Sequence, residues 1–315
     1  MSNTKQLSLF VDVVQQGSFV KAAALHNMDN SLLSKQIKKL ETELGVQLLN
    51  RSTRSFSLTP AGEEIFDKAL LLLDTLGDIQ IIADSYQLEP KGTLRIVAPI
   101  FFGQQYLQPV VSQFMKQYPQ VKISMVLEDR RSDIIADHFD LAFRIGKLSA
   151  SNLIAKKLAN THFALVASKS FVEQHGMPET PEQLLALPAV VYSNGERVLD
   201  HIKLGATPHS EPNQSYRMRG NYKVSDVRAL MGAVCDGLGY SMIDLFNLEA
   251  STETLGLVPL LTNYQISTMD TGIYAVYPHR KQTVLVKEFI GAVQQYIGTP
   301  PFWLEHLPNY QQLYK

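Results

Sequence analysis

Between Ser18 and Thr59 two short helical patterns meet at a tight polar corner, and a basic hairpin follows. This stretch constrains the fold more than any other part of the chain. Leu7, Phe10, Val11 and Val14 precede it at i, i+3, i+4 and i+7, one face of a first helix. Gly17 stops that helix and Ser18 is a natural N-cap for the next. The second helix, about Phe19–His26, is short, and Ala22, Ala23 and Ala24 let a neighbour approach closely. Asn27-Met28-Asp29 forms the corner, with Asp29 placed to cap a third helix over Asn30–Leu44.

The third helix carries two distinct faces. Leu33, Ile37, Leu40 and Leu44 lie at i, i+4, i+7 and i+11 and point to a core. Asn30 opens the helix, and Ser31, Ser34, Lys35 and Lys38 form a small, polar, basic face without a carboxylate. Glu41 and Glu43 come only near the end. A helix entering the major groove needs this distribution, because hydroxyls and amides read base edges while lysines meet phosphate or guanine. An ordinary solvated helix face has a similar polarity, so the helix alone leaves both readings open. The next stretch favours DNA. Val46–Asn50 and Ser55–Leu58 have strand character, and Arg51 and Arg54 flank the turn between them. A two-stranded wing with arginines at its tip suits a minor-groove or phosphate contact. The expected module is a winged helix-turn-helix. Residues 1–59 hold seven Lys/Arg against four Asp/Glu, an excess of +3, whereas the whole chain carries −1. A basic head on an acidic body agrees with nucleic-acid contact at one end.

Thr59-Pro60 gives an N-cap followed by Pro at the first helical position, a sharp helix start. Ile65, Ala69, Leu72, Leu76, Ile79, Ala83 and Tyr86 then alternate at spacings of four and three, an a/d seam as in a coiled coil. A helix packed on its own domain would also show an apolar stripe. Its place between a head and a second domain points to pairing of two chains. The helix is expected to end near Leu88, before Pro90 and Gly92.

Beyond residue 91 strands and helices alternate. Thr93–Ala98, Val121–Leu127 and Asp140–Ile145 read as strands, with a turn over Pro99–Gly103, a helix over Gln104–Tyr118 and another ending near His138. Phe163–Ala167 starts a second series, with strands near Ala189–Tyr192, Arg217–Gly220 and Tyr240–Ile243 and a helix over Ser225–Asp236. Ile273–Tyr277 and a helix over Val284–Ile297 read as a return to the first lobe. The expected class is α/β with a mostly parallel sheet. Ligands in open α/β sheets sit at the carboxyl ends of strands. That rule nominates Pro99, Ile100, Phe101 and Phe102, then Asp129 and Arg130, Arg144, and Ser225 and Asp226. The helix N-terminus after Ser225 would favour an anion. Arg144 could clamp a carboxylate or bridge to Asp140 or Asp129. Phe101 and Phe102 could wall a pocket or fill a core.

Several function classes find no support. The eight histidines show no i,i+3 or i,i+4 pairing, and Cys235 is the single cysteine, so neither a metal site nor a disulfide framework is expected. There is no nucleophile elbow and no phosphate-binding loop, and Gly237-Leu238-Gly239 lacks the third glycine of a dinucleotide fingerprint. No catalytic residue, metal or cofactor is therefore expected. Cys235 reads as a plain buried cysteine on its helix rather than a redox sensor. The start of the chain lacks the plan of a signal peptide and no run of about 18 apolar residues occurs, so the expected location is cytoplasmic, with no membrane contact.

The run from Gly17 through Glu63 resembles the DNA-binding head of LysR-type transcriptional regulators. The matching pieces are Gly17-Ser18-Phe19, Ala22-Ala23, Leu33-Ser34-Lys35-Gln36-Ile37, Leu40-Glu41, Leu44-Gly45-Val46 and Leu58-Thr59-Pro60-Ala61-Gly62. Gly92-Thr93-Leu94-Arg95-Ile96, Phe139–Gly146 and Gly237-Leu238-Gly239 match the family's two-lobed effector domain, which is similar to periplasmic solute-binding proteins. The chain departs from the family's usual Gln-Pro at Asn30-Ser31, its Leu at His26 and its Pro at Asp244. The resemblance implies a winged helix-turn-helix over 1–59, a dimerising linker helix over 60–90 and an effector domain over 91–297. Its lobe I would span about 91–162 and 267–297, and lobe II about 163–266. Residues 298–315 form a C-terminal extension without a family counterpart, read as packed or frayed. The implied partners are a double-stranded DNA operator, a small-molecule effector such as an organic anion, and a second copy in a homodimer or homotetramer, with RNA polymerase admitted as a further contact. Pairing would set two half-sites of a roughly palindromic operator. The alternative is a small-molecule-binding or catalytic α/β protein with a vestigial head.

Overall fold

The computed structural model describes residues 3–51, 56–85, 89–130, 132–148, 153–195, 197–267, 270–278, 282–310 and 312–314. The chain divides into two compact units. One comprises Met1–Leu88 with the short segments Ile135–His138 and Lys281–Val284, and the other comprises Glu89–Ile134, Phe139–Arg280 and Leu285–Lys315.

The first unit opens with α1 (Asn3–Gln16), α2 (Phe19–Leu25) and α3 (Asn30–Leu44). Gly17 takes a positive φ between α1 and α2, and the Ser18 hydroxyl accepts the Lys21 N–H at the start of α2. Leu9, Phe10, Val13, Leu33, Ile37 and Leu40 pack into one core with Ala22 and Ala23, whose small side chains allow the close approach of α2. Gly45 ends α3 in the left-handed conformation, which a Cβ would strain. The strands β1 (Leu49–Arg51) and β2 (Phe56–Leu58) pair antiparallel. Glu41, rather than standing as a stray acid on α3, accepts the N–H groups of Leu48 and Leu49 at 2.9 and 3.1 Å and anchors β1. The Thr59 hydroxyl accepts the Gly62 N–H at 2.9 Å and donates to Gln47 O at 2.6 Å, fixing the start of α4 (Pro60–Ser85).

Two expectations in this unit change. Asp29 occupies the N-cap position of α3, but its side chain makes no capping hydrogen bond. Leu44, counted with the core face, is 39% exposed, because the helix has run past the edge of the small core it packs on.

The second unit contains β3 (Gly92–Ala98), α5 (Ile100–Phe102), a π-helical turn (Gly103–Leu107), α6 (Gln108–Gln117), β4 (Val121–Leu127), β5 (Leu141–Gly146) and β6 (Ile154–Asn160). There follow β7 (Phe163–Ser168), α7 (Lys169–His175), α8 (Pro181–Ala186), β8 (Ala189–Tyr192), β9 (His201–Leu204), β10 (Gln214–Arg217) and β11 (Gly220–Val224). The unit ends with α9 (Val227–Cys235), β12 (Ser241–Asp244), β13 (Leu257–Leu260), β14 (Gly272–Tyr277) and α10 (Val284–Ile297). One sheet has the order β4-β3-β5-β14-β6, a second has β12-β7-β13, and β8 pairs with β11. Their buried faces share a core that includes Phe102, Phe143, Leu165, Val190, Ile243 and Phe289.

The expected α/β class holds, but the sheets are mixed rather than mostly parallel. Among the described strands, β3–β4, β3–β5 and β8–β11 pair parallel, whereas β14 is antiparallel to both β5 and β6, and β7 is antiparallel to both β12 and β13. The chain leaves the first sheet through β6 and returns through β14, so both crossing strands run against their neighbours. The expected turn over Pro99–Gly103 is instead the first stretch of a helix. Its Ile100 N–H, with no partner inside the helix, donates to Asp129 Oδ1 at 3.1 Å, a cap supplied from beyond β4. The expected helix ending near His138 is absent among the described residues 132–138, which form turns, with His138 at φ 56°. The strand expected at Arg217–Gly220 straddles a break, since Arg217 ends β10 and Gly220 begins β11.

The C-terminal extension is packed. Trp303 is fully buried, and Tyr314 Oη accepts the Leu165 N–H at 3.2 Å and donates to Leu260 O at 2.9 Å. Tyr310 Oη donates to Phe163 O at 2.8 Å. The extension therefore rivets β7 and β13 with aromatic side chains.

Candidate nucleic-acid interface and ligand cavity

On α3, Asn30, Ser31, Lys35 and Lys38 are exposed and Ser34 is half-buried, while Leu33, Ile37 and Leu40 on the opposite side are fully buried. The helix thus presents one polar, basic face, as its spacing implied. Lys39 and Glu43 form an i,i+4 pair at 3.6 Å, off the line of Ser31, Ser34 and Lys38. Arg51 lies on β1 opposite Phe56; Arg54 lies outside the described residues. His26, where the family usually has Leu, closes α2 and donates from Nε2 to Asp12 Oδ2 at 2.6 Å, so this departure serves an internal pair inside the head.

Along α4 the apolar seam divides. Ile65 packs against the core of the head and Ala69 is buried. Leu72, Leu76 and Ile79 are 40%, 39% and 57% exposed, and Leu71 beside them is also exposed. Ala83 lies on the helix, and Tyr86 is outside the described residues. The first heptad therefore serves the head's own core. The remainder leaves an apolar stripe on a helix surface, which water disfavours by roughly 25 cal/mol for each Å².

Within the second unit a cavity of about 450 Å³ opens at the carboxyl ends of β3, β4, β5 and β12. Phe101, Phe102, Phe143, Phe163, Met242 and Phe246 supply buried apolar wall. Arg130, Arg144, Lys147 and Arg197 add positive charge, and Glu128, Asp129 and Asp244 add carboxyls. Of the residues nominated from sequence, Pro99, Phe101, Phe102, Asp129, Arg130 and Arg144 line this cavity. Ile100, Ser225 and Asp226 do not, although Val227, the first residue of α9, does. Phe101 and Phe102 both line the cavity and belong to the core, so the two roles weighed from sequence coincide.

Polar contacts hold the cavity's two sides together. Asn194 Nδ2 donates to Asp129 O at 3.3 Å, and Arg197 Nη1 donates to Ile145 O at 3.2 Å. Arg228 on α9 bonds Gln104, bonds Glu249 at 2.6 Å and lays its guanidinium 5.5 Å from the Phe101 ring centre. Arg144 donates to Ser132 O at 2.6 Å, and Asp140 accepts the Arg95 N–H, so neither expected bridge from Arg144 to Asp140 or Asp129 is the contact seen.

The helix N-terminus after Ser225 was expected to favour an anion. Its own chain supplies one: Asp226 Oδ1 accepts the Ala229 N–H at 2.8 Å. Asp129 plays the same part for Ile100. Burial raises the pKa of Asp129, the Ile100 hydrogen bond opposes that shift, and the charge of Asp226 adds to it. The Tyr192 phenol is pushed up to about 12 by burial and then by the charge of Asp129. Sequence reasoning missed Asn194, Arg197, Phe143, Phe163 and Phe246. Only their convergence from four separate chain segments marks them, and no local spacing encodes it. Among the described residues no group of His, Cys, Asp and Glu could hold a metal ion, and no helix is long and apolar enough to cross a membrane.

Residues 4–63 match the model of the bacterial regulatory helix-turn-helix protein, lysR family, and residues 87–298 match the LysR substrate binding domain. The transcriptional regulator PtxR of Pseudomonas aeruginosa is 33% identical over 312 residues, covering 96% of this chain and 95% of the relative. Among solved structures, the Vibrio cholerae virulence activator AphB superposes with a TM-score of 0.57 at 26% identity, covering 94% of this chain and 99% of that one. CrgA from Neisseria meningitidis, a LysR-type transcriptional regulator, superposes with a TM-score of 0.56 at 26% identity over the same shares.

Proposed function

This chain belongs to the LysR-type family of transcriptional regulators, and from that membership we propose how its residues divide the work. Residues 1–59 read DNA, 60–90 pair two chains, and 91–297 receive the effector, with lobe I over about 91–162 and 267–297 and lobe II over about 163–266. Residues 298–315 brace the effector domain. Asn30, Ser31, Ser34 and Lys38 address base edges and Lys35 a phosphate, with Arg51 and Arg54 on the flanking backbone. Leu72, Leu76 and Ile79, continued by Ala83 and Tyr86, form the pairing seam of a homodimer or homotetramer. The protein works in the cytoplasm, contacts RNA polymerase when it activates, and performs no catalysis.

The effector occupies the cavity walled by Phe101, Phe102, Phe143 and Phe246, where Arg130, Arg144 and Arg197 hold its acidic group. Closure around it is transmitted only if the ligand prefers one setting of the paired heads over another. Bending the operator costs a few kcal/mol, roughly, so small changes in that setting alter affinity. The observation that carries this reading is the polar, basic face of α3 set back to back with a fully buried Leu33–Ile37–Leu40 face. Footprinting on DNA flanking the protein's own gene tests it, and the expected result is a protected, roughly palindromic site. Absence of protection even at low salt would return the chain to a small-molecule-binding protein with a vestigial head.

A further inference from the structure

Among the described residues neither Asp129 nor Asp244, two carboxyls that line the cavity, is in an ion pair, and neither is the neighbouring Asp226. Glu128, by contrast, is hydrogen-bonded by Ser132. Asp129 lines the cavity, and Asp226, which caps α9 just outside the lining, adds its charge to the burial that raises the pKa of Asp129. Asp244 is only 3% exposed, lines the same cavity, and bonds through Oδ1 to the His162 N–H at 3.0 Å. Its Oδ2 has no hydrogen-bond partner among the described residues. The Leu245 N–H donates instead to His162 O at 2.9 Å, and the Asp244 side chain makes no capping bond to the turn it precedes. A buried carboxyl without a partner is costly, and a ligand that supplies a charged donor recovers that cost on binding. A purely anionic ligand would instead add repulsion from Asp129, in a cleft where low polarizability strengthens each charge.

We infer that the effector is a zwitterion with an apolar body, its ammonium group set against Asp129 on the acidic side of the cavity and its carboxylate against Arg130 and Arg197. The aromatic wall of Phe101, Phe102, Phe143, Phe163 and Phe246 takes the side chain between them, and a cavity of about 450 Å³ accommodates an apolar or aromatic amino acid. Aromatic side chains favour offset or edge contacts with a ring ligand, and few polar groups suffice to fix its orientation. This assignment rests on the cavity being the effector site and adds the amine that the arginines alone do not call for.

The test uses the full-length protein and two matched sets of probes followed by calorimetry: L-phenylalanine, 3-phenylpropanoate and phenethylamine, then L-leucine and 4-methylpentanoate. An amino acid in at least one set is expected to bind at least about tenfold more tightly than its deaminated analogue, since each tenfold requires only about 1.4 kcal/mol. Phenethylamine, lacking the carboxylate, falls behind phenylalanine by a similar factor. Asp129→Asn keeps an acceptor for the Ile100 N–H. It is expected to lower amino-acid binding at least about tenfold while leaving the deaminated acid unchanged or tighter, a split that a merely structural change would not produce. The inference is overturned if the deaminated acids bind as well as the amino acids, if none of the five probes binds, or if Asp129→Asn weakens both classes alike. Footprinting without ligand keeps the outcomes separate: protected DNA combined with indifference to the amine refutes the zwitterion and leaves the regulator standing.

Discussion

Asp244 Oδ1 accepts the main-chain N–H of His162 at 3.0 Å, tying the end of β12 to the link between β6 and β7 across 82 residues of sequence. Where relatives usually carry a proline, this chain places a buried carboxyl at the point where it passes from one sheet to the other. Burial raises its pKa to about 7, although main-chain N–H groups from His162, Phe246 and Leu245 oppose the shift. A carboxyl raised on folding binds its proton more tightly in the native state. The stability it contributes is complete below its unfolded value of 3.8 and is lost as pH rises through about 7. Asp244→Asn should remove this component. The difference in unfolding free energy between variant and parent should shift in the variant's favour from pH 4 to pH 8, on the order of 3 kcal/mol. Urea melts at a series of pH values measure it, and parallel profiles for the two proteins would refute the assignment.

Lys35 is exposed on the polar face of α3, and its expected target is a phosphate. Lys35→Ala should weaken binding to the operator and to unrelated DNA alike, and flatten the dependence of log K on log salt by about one unit. Ser34→Ala should instead relax preference at one base position by about 1 kcal/mol. Binding titrations over a panel of single-base operator variants at several salt concentrations distinguish the two patterns.

Leu72, Leu76 and Ile79 leave an apolar stripe on α4 beyond the part that serves the head. Leu76→Asp should shift the molecule from dimer toward monomer in sedimentation analysis, weakening association by about tenfold or more, equivalent to about 1.4 kcal/mol. The head should remain folded, because Ile65 and Ala69, which pack on or within it, are untouched. An unchanged oligomeric state would place the pairing surface elsewhere.

Trp303 is fully buried beside Tyr106 and Phe246, with ring centres 5.2 and 6.3 Å away. Trp303→Ala should destabilise the effector domain by about 3–5 kcal/mol through lost burial and the cavity left behind. Differential calorimetry of the full-length chain should show that loss in the transition of the effector domain. A variant melting within a degree of the parent would mean that the extension is dispensable.

The head was legible because its information is local. Apolar spacing on α3, Gly17 and Gly45 as stops, Ser18 as a cap and the Thr59-Pro60 start are each set by neighbours within a turn or two, and the structure keeps all of them. Asp29 takes the expected N-cap position without the cap bond, and Leu44 was misjudged because a buried face needs tertiary partners, which spacing does not report. In the body, the strands near Leu94, Val121 and Leu141 were visible as apolar runs. The direction of β14 and the helical conformation of Ile100–Gly103 were not. Direction depends on where the chain crosses between sheets, and the helix start depends on Asp129, which is remote in sequence.

The sequence by itself therefore determined the class of the molecule: a basic two-faced helix, an apolar seam behind it and an α/β body with acidic and basic residues at strand ends. Only the tertiary structure decided which of those residues meet. It brought Asp129, Arg197, Phe246 and Asp244 to one cavity, filled the α9 terminus with Asp226 and divided the seam between the head's core and an exposed stripe. The physical reason is range. Helix and strand periodicity are set over a few residues by backbone geometry and apolar burial. A ligand cavity exists only where segments far apart in the chain are held together by a common core.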